Sequence, residues 1–68
     1  MKVIVQITPR GDMSGKRPLT ESIKVDIEDL PEYGFSERDI NRLVEFEVND
    51  IRCTKNGAKL KAFPVRGV

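Results

Sequence analysis

Histidine and tryptophan are absent from this chain, cysteine occurs once, and no apolar run exceeds four residues. Each absence removes a class of chemistry. Without histidine, the usual general base and metal ligand of neutral pH is missing. Cys53 alone forms no internal disulfide and builds no zinc site, whose ligands come in sets of about four. Apolar runs this short fall far below the ~18 residues of a membrane span. Val3-Ile4-Val5 behind Lys2 is interrupted by Gln6 and is too short for a signal peptide. The expectation is a cytoplasmic protein of a reducing compartment, with no membrane partner, no metal and no cofactor.

At 68 residues the chain has room for one domain, residues 1–68. A domain this small buries only roughly 60% of its unfolded surface. With no disulfide or metal to help, its stability must come from packing or oligomerisation. Charged residues make up 34% of the chain. The apolar residues nevertheless alternate cleanly, as in a folded domain.

The net charge of +1 hides a partition. Residues 1–20 carry four basic side chains and one acid, residues 21–50 three basic and ten acidic, and residues 51–68 five basic and none acidic. Such asymmetry bears on partners rather than on fold. Its bland reading is a solvated surface whose ends neutralise its middle.

Val3, Val5 and Ile7 alternate through a strand over 2–8, which Pro9 ends because proline cannot donate to a ladder. Residues 9–18, bounded by prolines, read as a loop. Its Arg10-Gly11-Asp12 matches a cell-adhesion tripeptide and is read as coincidence. A second strand spans about 20–27, with Ile23, Val25 and Ile27 inward. The connection 28–35 is rich in turn residues. Ser36 then sits where its hydroxyl caps the amide of Asp39. Phe35 before the cap and Ile40 after it have the spacing of a hydrophobic staple. A helix of about two turns is predicted over 37–43.

Val44, Phe46 and Val48 alternate with Glu45 and Glu47, which predicts a third strand. It continues through Ile51 and Cys53 to the hairpin signal Asn56-Gly57. Folding back pairs Cys53 with Leu60, Ile51 with Ala62, Arg52 with Lys61, and Val48 with Val65. The apolar phase slips on both strands at matching places, as at the corner of a small barrel.

The predicted order is strand-strand-helix-strand-strand: mainly β with one short helix, a small OB-like, partly open barrel. The stretch SIKVDIEDLPEYGF…INRLVEFEVNDIRCTKNGAKLKAFPVRGV resembles the second half of a cold-shock domain. That family often reads V-F-V-H-I-S-D-L, a loop ending G-F, a strand like V-E-F-E-V, then K-G…A…V-R. The resemblance implies an OB fold and single-stranded nucleic acid as ligand. The departures are specific. The family's first strand has no counterpart, Ile4 and Gln6 stand at the phenylalanine positions of its first motif, and Lys24 and Asp26 replace the phenylalanine and histidine of its second. Base–aromatic stacking is worth ~1–3 kcal/mol per base, and none of these four positions is aromatic.

Two classes of function follow, neither enzymatic. In the first, the domain binds single-stranded DNA or RNA weakly and through phosphates. The residues proposed to carry it are Arg10, Lys16 and Arg17 in the first loop, Arg52, Lys55, Lys59 and Lys61 in the last hairpin, and Phe63 and Arg66 beyond. Arg52 and Lys61 are like charges placed opposite each other, a cost that an anion would relieve. Against it stand the acids of the middle third. Phe63 and Tyr33 are the stacking candidates, although Phe63 also reads as a core residue. In the second class, an open strand edge recruits another protein or a second copy of the chain. Cys53, inward on its strand, reads as an inert thiol.

Overall fold

In the computed structural model, which describes residues 1–9 and 20–65, four antiparallel strands form one open sheet. The strands are β1 (Lys2–Thr8), β2 (Glu21–Asp26), β3 (Ile51–Lys55) and β4 (Ala58–Pro64), in the spatial order β2-β1-β4-β3. A 3₁₀ helix (Ile27–Tyr33) and α1 (Glu37–Val44) lie between β2 and β3 in the chain. The fold is mainly β, and its sheet does not close on itself. β2 and β3 are its two edges.

The core is made by one side of the sheet and the helical layer. Val3 and Val5 of β1, Leu60 and Ala62 of β4 and Ile51 of β3 alternate onto the inner face. Leu30, Phe35 and Leu43 meet them from the helical side. Burying each large side chain contributes about 1.5–3 kcal/mol, which is what holds the helices on this face. Ile23 and Val25 of β2 are only partly buried against the same core.

Local signals explain most of the connections. In the 3₁₀ helix, Pro31 lacks the N–H that a longer α-helix would need. Gly34 then takes a left-handed φ of 95°, and Phe35 turns inward as its amide bonds to the Leu30 carbonyl. Ser36 accepts a hydrogen bond from the Asp39 amide at 3.2 Å and starts α1 as predicted. Ile40 packs on the core that holds Phe35, the two ends of the staple spacing. Asn56 and Gly57 have φ of 52° and 82°, the signs a two-residue hairpin turn requires. The register Cys53↔Leu60, Arg52↔Lys61 and Ile51↔Ala62 follows from it.

The strand predicted from Val44 does not form. Ile40 and Leu43 share the buried face, so the helix runs on through Val44. It ends in paired bonds from the Phe46 amide to the Leu43 carbonyl and from the Glu47 amide to the Arg42 carbonyl. This reversal needs a left-handed residue, and Phe46 supplies it at φ 60°. Val44 and Phe46 are consequently exposed, and only Val48 packs on the core. With β3 starting at Ile51, the pairing of Val48 with Val65 is absent and the matched phase slip marks no barrel corner.

Candidate functional site

The helical layer covers one face of the sheet and leaves the other uncovered. Strand alternation puts Ile4, Gln6 and Thr8 of β1, Lys24 of β2, Arg52 and Thr54 of β3, and Lys59, Lys61 and Phe63 of β4 on the uncovered side. Across it, Ile4 faces both Lys24 and Phe63, Gln6 faces Lys61, and Thr8 faces Lys59. Arg52 faces Lys61, and Thr54 faces Lys59. The face is graded along the strands. One end holds a shallow hollow of about 430 Å³ framed by Gln6, Thr8, Arg52, Thr54, Lys59 and Lys61. The other is mostly apolar, with Ile4, Phe63, Pro64, Val65 and Asn49 around a second depression.

Four of the residues singled out in the sequence meet here: Arg52, Lys59, Lys61 and Phe63. Lys61 lies with its ammonium 5.9 Å from the centre of the Phe63 ring, within range of a cation–π contact. Phe63 is half-buried against its own face of the sheet and is not part of the core cluster. Lys55 goes elsewhere. It follows Cys53 onto the inner side, packs beside Gly34, and donates its ammonium to the Glu32 carbonyl. Arg10, Lys16, Arg17 and Arg66 lie outside the described residues. Tyr33, the other stacking candidate, packs against the core.

Electrostatics on this face are partly internal. Asp50 reaches Arg52 at 3.4 Å and Lys61 at 3.5 Å. The like-charge pair across the hairpin therefore already has an anion between its members. Lys24 and Lys59 have no ion-pair partner among the described residues. Asp26 bonds Lys2 at 2.7 Å, and that hydrogen bond holds its carboxyl below the usual carboxylate range. The acids Glu28, Asp29, Glu32, Glu37 and Asp39 belong to the helical layer. Arg38 and Arg42 share that layer, and Asp26 and Asp50 stand on the sheet side, so the two layers differ in charge without dividing it cleanly.

Sequence reasoning did not name Gln6, Thr8, Lys24 and Thr54 as part of this face. Their signal was strand alternation, which, with Val3, Val5, Ile23, Val25 and Cys53 inward, already puts them on the outer side. Ile4, Gln6 and Lys24 share the uncovered face. No cluster of potential metal ligands occurs among the described residues, and no helix among them is long and apolar enough to cross a membrane. No protein-family model, no curated protein and no solved structure matches the chain.

Proposed function

We propose that the uncovered sheet face is a binding surface for single-stranded nucleic acid, engaged mainly through phosphates. The observation that carries this reading is the gathering of Lys24, Arg52, Lys59 and Lys61 with Phe63 on one uncovered face, with five of the acids on the opposite layer. Phosphates would lie along Lys59, Arg52 and Lys61 in the polar hollow. Phe63 offers one ring for a base at its border. A single half-buried ring supports little stacking, so affinity is weak and insensitive to sequence.

The test is a titration of labelled single-stranded oligonucleotide at low and at physiological salt. Each neutralised phosphate adds a slope of about −0.7 in log affinity against log salt, so two or three contacts give a slope of about −1.4 to −2.1. A flat salt response, or no binding even at low salt, would overturn the reading. In that event the open edges come forward. Among the described residues no strand pairs the outer side of β2, whose inner side chains are partly covered, which suits an added strand from another protein.

A further inference from the structure

The cations of the uncovered face are unevenly spaced. Lys59, Arg52 and Lys61 stand together around the polar hollow of about 430 Å³, while Lys24 stands on β2, across β1 from the hairpin and beside Ile4. Lys55 turns to the inner side, and Lys2 is held by Asp26. A sugar–phosphate backbone carries one charge at every nucleotide and is matched by cations spread along a track. A cluster at one end of the face is matched by charge concentrated at one point.

The size of that charge follows from the groups present. Asp50 reaches both Arg52 and Lys61, so one carboxylate stands against three cations and leaves the hollow a net charge of +2. An internal phosphodiester carries a single negative charge. A terminal phosphomonoester carries about 1.5 to 2 at neutral pH, on three strong acceptor oxygens. The donors fit such a group. Arg52 bonds Asp50 through Nε, and its guanidinium has further N–H groups to offer. The Gln6 amide and the Thr54 hydroxyl have no hydrogen-bond partner among the described residues, whereas the Thr8 hydroxyl is shared with Thr20. Phe63 follows Lys61 by two residues on β4, about 7 Å along the strand. The Lys61 ammonium lies 5.9 Å from the ring centre and so belongs to the hollow and the ring at once. A phosphate in the hollow therefore has its own nucleotide's base within reach of that ring.

We propose that the hollow takes the terminal phosphate of a single strand, with the adjoining base on Phe63, so that the domain selects phosphorylated strand ends. This rests on the sheet face being the nucleic-acid surface and adds the kind of strand that face selects. The test uses one internally labelled oligonucleotide in three forms: with a 5′-phosphate, with a 3′-phosphate, and with hydroxyls at both ends. Binding is measured at fixed ionic strength in a buffer free of phosphate. One phosphorylated form should bind at least about tenfold tighter than the hydroxyl form, the effect of one further charge-assisted hydrogen bond. The other should gain little, because the backbone has a direction and the ring sits on one side of the hollow. The advantage should shrink between about pH 7 and pH 5, as the phosphate takes up its second proton near pH 6. Lys59→Glu should abolish it, whereas Lys24→Glu, outside the hollow, should weaken all three forms and keep their order. Equal gains from the two phosphates would show a response to overall charge and overturn the inference, as would an advantage that survives Lys59→Glu or ignores pH. If the hydroxyl form binds with the salt slope of phosphate contacts and neither end phosphate improves it, this inference fails while the sheet face stands as the site. If no form binds even at low salt, both fall.

Discussion

Cys53 lies on the inner side of β3, where its thiol donates to the Tyr33 carbonyl at 3.5 Å. Burial pushes the thiol pKa up, the nearby Asp39 charge adds to this, and Lys55 opposes it. A thiol held in its protonated form is a poor nucleophile. Raised in the folded state, this group contributes stability that is complete below the unfolded thiol value, about 8.5. That contribution is lost as pH rises through the folded value. Iodoacetamide at pH 8 should therefore label Cys53 more slowly in the native protein than in denaturant, and the native rate should climb with pH along a curve displaced to higher pH than that of the unfolded chain. Equal rates in the two states would remove the inert-thiol assignment. Asp26 shows the opposite case. Its strand position reads as a negative charge facing a ligand, but the bond to Lys2 directly across the β1–β2 ladder turns it into half of an exposed ion pair.

Helix α1 shows where local signals suffice and where they fail. Its start was legible because a cap is a matter of three neighbouring residues, and Ser36 meets the Asp39 amide as its spacing requires. Ser36→Ala should cost about 0.5–2 kcal/mol, a visible fraction of the stability of so small a domain. Thermal melts of the variant that overlay wild type would contradict the role of the cap. The hairpin was legible for the same reason, since Asn56 and Gly57 carry the register themselves. The segment 44–48 was misread because period-two alternation is indifferent to which element owns it. Whether Val44 ends a helix or begins a strand is decided by Leu43 burying itself under the sheet, a contact made with distant residues. Nothing local announces that phenylalanine will take the left-handed turn, because glycine usually does. Asp50 was missed similarly. It stands one residue before β3, and its reach to both Arg52 and Lys61 depends on how the connector arrives.

Across the whole molecule, the helical layer carries Glu28, Asp29, Glu32, Glu37 and Asp39, while the uncovered sheet face carries Lys24, Arg52, Lys59 and Lys61. The basic half of the hairpin was legible because alternation puts Arg52, Lys59 and Lys61 on one side wherever the core lies. The same alternation puts Lys55 on the Cys53 side, away from them, and the fold adds only that its ammonium reaches the Glu32 carbonyl. A near-neutral chain with its charge divided this way orients an approaching polyanion more than it attracts one. The division also says which substitutions should matter. Lys59→Glu should weaken every oligonucleotide alike and lower the salt slope by about 0.7, since it subtracts one phosphate contact. Arg38→Glu with Arg42→Glu changes more charge but on the helical layer, and should leave the slope unaltered while shifting affinity little once salt screens it. Asp50→Asn separates local from global charge. The carboxylate now occupies the space between Arg52 and Lys61 that a phosphate would take, so its removal should tighten binding and steepen the salt dependence. If the helical-layer variant loses as much as Lys59→Glu, or if Asp50→Asn binds no better than wild type, the oligonucleotide is responding to overall charge and the sheet face is not its site.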